Sequence, residues 1–149
     1  MTEHTVTIDE NAPAVVRLTT TIDAPLDVVW ALHTAIDSWA AWNPDIDRAR
    51  LDGPLATGAS FQWLTHGLDI TSTVRELVPG RRIVWGGPAA GIDGVHLWTF
   101  READGVVTVH TEESWGGAPV EAQPVELTAA LRASLESWLG HLKAEAERR

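Results

Sequence analysis

The chain has 149 residues, eight of them tryptophan and none of them cysteine or tyrosine, and its 11 Lys+Arg against 21 Asp+Glu give a formal net charge of −10. This length predicts one domain whose core needs no disulfides. The negative charge disfavours nucleic acid and anionic lipid surfaces as partners, and the lack of cysteine excludes thiolate chemistry.

The N-terminus is polar and acidic, which is not the pattern of a signal peptide. No apolar stretch approaches the roughly 18 residues that a membrane span needs, so we expect a cytoplasmic protein with no membrane span. Residues 1–13 are interpreted as an N-terminal segment that can be flexible, and residues 14–149 as a single domain. Within that segment, residues 5–8 favour an edge strand that either pairs within a monomer or joins two copies into a homodimer.

A strand followed by two short helices is predicted next. Residues 15–22 are mostly β-branched and predict the first strand, and Pro25 suits the first turn of a helix. A second short helix presents Trp39 and Trp42 one turn apart and ends at Asn43-Pro44.

Five segments with a period of two follow and predict an antiparallel meander. They cover residues 59–65, 69–78, 82–86, 95–101 and 106–115. The dipeptides Pro79-Gly80 and Asp104-Gly105 are typical of turns between adjoining strands.

The C-terminal part of the chain changes to a helical period. One apolar stripe comprises Leu127, Leu131, Leu135, Trp138 and Leu142 and predicts a long amphipathic helix. A glycine inside a helix costs about 1 kcal/mol relative to alanine, so Gly140 indicates a close backbone contact there.

This order of elements resembles the START-like (SRPBCC) superfamily, which includes polyketide cyclases and dehydratases, plant allergens and lipid-transfer domains. The matching segments are TIDAP (21–25), WAAWNP (39–44), ELVPGRRIVW (76–85), HLWTF (96–100) and TEESW (111–115). The resemblance implies an α+β helix-grip fold, in which a curved antiparallel sheet of about seven strands wraps around the long C-terminal helix. It also implies an apolar ligand between the sheet and that helix.

Strand parity selects the candidate catalytic residues. His96 shares one face of its strand with Trp98 and Phe100, and the next strand presents Thr111 and Glu113 on one side. The residue opposite His96 is therefore Thr111 or Glu113, depending on the register. A paired imidazole and carboxylate can exchange protons near neutral pH, with His96 as acid/base, Glu113 as its orienting partner and Thr111 as a hydroxyl donor. The competing interpretation makes His96 a hydrogen-bonded wall residue.

The tryptophans fall in separate predicted elements and are expected to converge on one interior, either as a solid core or as the wall of a cavity. Trp30 and Trp138 lie at core spacing and are interpreted as packing residues. The candidate ligand contacts are Trp42, Phe61, Trp63, Trp98, Thr111 and Trp115. The histidines have no metal-ligand spacing and no phosphate-binding loop is present, so we expect no metal site and no cofactor.

Three functions remain open on these observations. The first is binding of a small apolar, aromatic or polycyclic molecule in an internal cavity, with turnover as a polyketide cyclase or dehydratase. The second is a non-catalytic carrier or sensor with the same pocket. The third is an interaction module similar to the Hsp90 activator, in which the interior is filled.

Overall fold

A seven-stranded antiparallel sheet forms the framework of the protein in the computed structural model, which describes residues 6–149. The spatial order of the strands is β1-β7-β6-β5-β4-β3-β2. In chain order they are β1 (Ala14–Ile22), β2 (Ile46–Asp52), β3 (Ser60–Thr65), β4 (Leu68–Val78), β5 (Arg82–Ala89), β6 (Ile92–Ala103) and β7 (Val106–Gly116). Every neighbouring pair is antiparallel, as the predicted meander requires.

Within residues 6–149, four α-helices accompany the sheet: α1 (Leu26–Thr34), α2 (Trp39–Trp42), α3 (Ala118–Ala122) and α4 (Pro124–Arg148); a 3-10 turn (Ile36–Ser38) precedes α2. The apolar stripe of α4 is buried, with Leu131 and Leu135 packed against Val16 of β1, and Trp138 and Leu142 in the main core. The predicted helix-grip fold, with its two short helices after the first strand, is therefore confirmed. No helix of residues 6–149 has the length and apolar character to cross a membrane.

Two-residue turns with positive φ at both positions connect three of the hairpins, which matches the right-handed twist of the strands. The predicted turn at Asp104-Gly105 has φ of 56° and 78°. The turn at Ala90-Gly91, with φ of 51° and 82°, extends β5 and β6 well beyond the predicted ends of these strands.

Strand β2, at one edge of the sheet, is the one described strand that was not predicted from the sequence pattern. Its register shifts between Ile46 and Arg48, which breaks the alternation of apolar and polar residues. Only Ala49 and Leu51 of the later residues are half-buried, so the segment carries little apolar signal.

The start of the described chain packs on the outer face of the sheet. Ile8 is buried there against Val84, Val95 and Leu97. The backbone N–H of Asp9 donates to Ser114 Oγ at 3.0 Å. The predicted edge strand was wrong for residues 6–8, which form no strand, and Thr5 lies outside the described residues.

Gly86 is expected to be indispensable for the pairing of β5 with β6. A Cβ at this position would lie 2.3 Å from the carbonyl oxygen of Gly94, which is a backbone atom and cannot rotate away, so Gly86→Ala forces the strands apart. We expect a loss of about 2 kcal/mol in the free energy of unfolding, measured by denaturant titration.

Gly140 of α4 provides the matched control for this substitution. Its expected close contact was wrong, because a Cβ there would have nothing within 4 Å. Gly140→Ala should therefore stabilise the protein by about 1 kcal/mol. Equal effects of the two substitutions would contradict the steric argument.

Candidate functional site

A cavity of about 670 Å³ lies between the inner face of the sheet and α4. Strands β3 to β7 supply one wall, α4 supplies the opposite wall, and residues 43–46 close one side. Four indoles line it, from Trp63, Trp85, Trp115 and Trp138. Such a lining of large apolar side chains with a few polar groups is typical of a small-molecule site.

Small side chains on α4 and glycines on the sheet leave the room for this cavity. Ala130, Ala133, Ser134 and Ser137 follow one another at helical spacing, and all four line the cavity. The facing strands contribute Gly86, Gly87 and Gly94 to the lining. The run of small residues along one helix face was a sequence signal for the cavity, and the sequence analysis did not use it.

The candidate catalytic residues meet at the cavity wall. His96 of β6 pairs with Glu113 of β7, so the register selects Glu113 rather than Thr111 as the residue opposite His96. His96 Nδ1 lies 3.2 Å from Glu113 Oε1. The other carboxylate oxygen, Oε2, accepts a hydrogen bond from Trp115 Nε1 at 3.0 Å.

Thr111 determines which ring nitrogen of His96 carries hydrogen. Its hydroxyl donates to the carbonyl oxygen of Leu97 at 2.9 Å, since a carbonyl can only accept. Thr111 Oγ1 therefore accepts from His96 Nε2–H, which is 2.8 Å away. In the neutral imidazole this leaves a lone pair on Nδ1, and that lone pair faces Glu113.

Burial keeps both members of this pair uncharged. Burial, with a smaller contribution from the nearby His33, holds the pKa of His96 well below its ordinary value of 6.5. Burial also raises the pKa of Glu113 to about 8, against the opposing effect of the hydrogen bond from Trp115. With a pKa of about 8, Glu113 is mainly a carboxylic acid at neutral pH, beside a His96 Nδ1 that has no hydrogen-bond partner among the described residues.

A packed cluster of aromatic rings fills the interior next to the cavity. We call it the indole cluster; it comprises Trp39, Trp63, Trp85, Trp98 and Trp138, whose contacting rings have centroids 5.1 to 5.9 Å apart. The tryptophans therefore serve both expected purposes, since the same cluster is core on one side and cavity wall on the other.

His33 of α1 is buried at the back of the indole cluster. Its ring centroid lies 4.3 Å from that of Trp98 and 5.3 Å from that of Phe100. Neither ring nitrogen has a hydrogen-bond partner among the described residues. Burial lowers the pKa of His33 to about 3, so the imidazole is neutral at pH 7.

The structure divides the sequence-predicted ligand contacts into two groups. Trp63 and Trp115 line the cavity. Trp42, Phe61, Trp98 and Thr111 are buried and are not part of its lining.

Three cavity residues were missed by the sequence analysis. Trp85 shares the inner face of β5 with Ile83 and pairs with His96, so strand parity was an available signal. Trp138 was assigned to packing alone, yet it also lines the cavity. Asp45 follows a helix-ending Asn43-Pro44 and carries no local signal of a site.

The chain is similar in fold to solved structures over almost its whole length. A hypothetical protein from Helicobacter pylori is 17% identical, with a TM-score of 0.81, covering 98% of this chain and 99% of its own. The Zhui aromatase/cyclase from a Streptomyces species is 20% identical, with a TM-score of 0.79 and coverage of 91% and 94%. A START superfamily protein from Mycobacterium smegmatis is 12% identical, with a TM-score of 0.76 and coverage of 90% and 97%.

The family assignment rests on the sequence itself. No curated protein matches the chain at a significant level. The model of one family, described as polyketide cyclase / dehydrase and lipid transport, matches residues 13–147. This match covers nearly the whole chain and agrees with the resemblance to START-like proteins. The protein therefore belongs to the polyketide cyclase / dehydrase and lipid transport family of the START-like superfamily.

Proposed function

We propose that the protein binds a small, largely apolar, aromatic molecule in the cavity and acts on it as a cyclase or dehydratase by acid–base catalysis. The observation that carries this proposal is a carboxyl group, Glu113, at the wall of an indole-lined cavity, where burial raises its pKa to about 8. The family and the likeness of the fold to an aromatase/cyclase support it.

The exposure of the two candidate groups supports a distribution of roles that differs from the sequence hypothesis. Both side chains are at the cavity wall, but that of Glu113 is 15% exposed and that of His96 only 1%. Glu113 is therefore the group that meets the substrate, and His96 is a positioning residue beside its carboxyl group. A pKa near 8 suits Glu113 to give and recover a proton close to neutral pH.

Dehydration of a bound hydroxy-carbonyl compound illustrates the chemistry. Glu113 gives its proton to the departing hydroxyl group as the C–O bond breaks, and water leaves. The resulting Glu113 carboxylate takes the proton from the adjacent carbon, whose C–H electron pair forms the new C=C bond. Glu113 ends the cycle protonated, and the indoles of Trp63, Trp85 and Trp138 hold the flat product by stacking.

Carriage without turnover is the second candidate function. One observation favours it: Glu113 Oε2 already accepts a hydrogen bond from Trp115 Nε1, so the carboxyl group is held in place without any reaction. The interaction-module alternative called for a filled interior, and a cavity of about 670 Å³ does not support it.

Binding can be tested by tryptophan fluorescence titration with aromatic polyketides, flavonoids, sterols and fatty acids. Wild type should show saturable quenching by an aromatic class at micromolar concentration, because three of the lining indoles belong to the indole cluster. Ser134→Phe places a ring in the cavity and should weaken binding by at least about tenfold.

Glu136→Phe adds the same ring to the exposed side of α4 and serves as the control. Its affinity should equal that of wild type. Equal affinities of the two variants would contradict binding in the cavity. Turnover of the bound class, lost in Glu113→Gln with binding retained, separates an enzyme from a carrier.

A further inference from the structure

In the described part of the chain, the ionisable side chains that line the cavity include carboxyl groups but no lysine or arginine. They are two acids, Asp45 and Glu113, and two imidazoles, His66 and His96. Glu113 lies 3.2 Å from the His96 imidazole, whereas Asp45 has no salt bridge within residues 6–149, so Asp45 is the carboxyl group that the cavity leaves without a cation.

The contacts of Asp45 fix it at the wall of the cavity without neutralising it. Its Oδ2 accepts a hydrogen bond from Ser137 Oγ at 2.6 Å, and its backbone carbonyl accepts one from Thr65 Oγ1 at 2.6 Å. No hydrogen bond within residues 6–149 reaches Oδ1. The carboxylate is thus held in place by neutral donors and keeps one oxygen available.

Two indoles share the lining of the cavity with this carboxylate. They belong to Trp63 of β3 and Trp138 of α4, and the same two elements supply the hydroxyl groups that donate to Asp45, from Thr65 and Ser137. The rings of Trp63 and Trp138 have centroids 5.7 Å apart. A carboxylate combined with indole faces is the composition that recognises an organic cation, through charge and through cation–π attraction.

We infer that the ligand carries a protonated amine, which pairs with Asp45 against the indoles of Trp63 and Trp138 while its uncharged ring system occupies the rest of the cavity. This inference rests on the proposed function and narrows its substrate class to aromatic amines and their alkylated relatives. It leaves Glu113 free for proton exchange at a second position on the ligand. A carboxylate ligand, by contrast, would meet Asp45 with no cation to receive it.

A matched series of three probes tests the inference: naphthylmethylamine, naphthylmethanol and naphthoate, which share one ring system and differ in charge. Isothermal titration at about pH 7 should give the amine about tenfold tighter binding than the alcohol, and naphthoate at least tenfold weaker binding than the alcohol. Asp45→Asn should reduce the amine to the affinity of the alcohol and leave the alcohol within about twofold. Asparagine can still accept from Ser137, so the fold should persist.

Asp47→Asn is the control, because Asp47 is an exposed carboxylate two residues further along that does not line the cavity. It should leave all three affinities as in wild type. Three results would overturn the inference while the cavity remains a binding site. They are an amine that binds no more tightly than the alcohol, naphthoate that binds more tightly than the alcohol, and a preference for the amine that persists in Asp45→Asn. Failure of all three probes to bind would overturn both the inference and the proposed function.

Discussion

Glu113→Gln is expected to stabilise the folded protein and to remove its capacity for proton transfer. A raised carboxyl pKa means that the folded state binds more protons than the unfolded state between about pH 4.5 and about pH 8. Wild type therefore loses stability as the pH rises through that window, by about 1.4 kcal/mol per pH unit. Glutamine is uncharged in both states, so the variant should gain about 3 kcal/mol at pH 7.

The amide also fits the local hydrogen bonds. Its oxygen can accept from Trp115 Nε1–H, as the carboxyl group does, and its NH2 group lies where it can face His96 Nδ1, 3.2 Å from Oε1 in wild type. If turnover exists, it should vanish together with the transferable proton. Stability gained at the expense of activity is the expected signature of an active-site acid that burial destabilises.

Denaturant titrations of both proteins at several pH values between about 4.5 and 8 check this result. The difference between them should be near zero at the acidic end and should widen with pH. Glu112→Gln is the matched control, because Glu112 is the next residue on β7, on the opposite face, beside His110 at 2.7 Å. It should cost at most about 1 kcal/mol. A constant difference for Glu113→Gln would show that Glu113 is already ionised in the folded state.

His33→Leu is expected to protect the protein against acid. Since the folded-state pKa of about 3 lies below the ordinary value of 6.5, the unfolded state binds more protons between these values. Wild type loses stability as the pH falls from about 6.5 to about 3, by about 1.4 kcal/mol per pH unit and roughly 5 kcal/mol in total. Leucine removes that loss. It also removes two buried ring nitrogens without partners, which should add about 1 to 3 kcal/mol at neutral pH.

Thermal or denaturant unfolding between about pH 4 and pH 7 measures the effect as the difference between variant and wild type. This difference should grow towards acid. His141→Leu removes an imidazole that is only partly buried on α4, and it should leave the acid sensitivity in place. Parallel pH profiles of wild type and His33→Leu would mean that a polar partner satisfies His33.

Much of the site followed from strand parity and turn chemistry. The two-residue turn at Asp104-Gly105 pairs the residues that flank it, and counting outward from there along both strands leads to His96 opposite Glu113. The sequence analysis left Thr111 as an alternative, although the turn type already selected Glu113. What the sequence could not show is the burial that keeps both groups neutral, because that depends on how the rings of other elements pack around them.

Which inward-facing residues belong to the indole cluster and which line the cavity could not be predicted from the sequence either. Phe61 and Trp98 have the inward parity of ligand contacts, but neighbouring rings enclose them completely. Asp45 and Ser137 are 92 positions apart, and neither has a local pattern that points to the other. Such long-range encounters depend on the curvature of the sheet and on the tilt of α4, which periodicity does not encode.

The indole cluster should behave as a single optical unit. With contacting rings 5.1 to 5.9 Å apart, excitation absorbed by any of the five indoles migrates among them faster than it is emitted. Emission should therefore be strongly depolarised, and the near-ultraviolet circular dichroism should carry exciton-coupled bands that disappear on unfolding. A ligand that contacts Trp63 alone will also reduce the emission that follows absorption at Trp39 or Trp98. The fraction of fluorescence quenched therefore reflects the number of rings connected by energy transfer, not the number of rings in contact with the ligand.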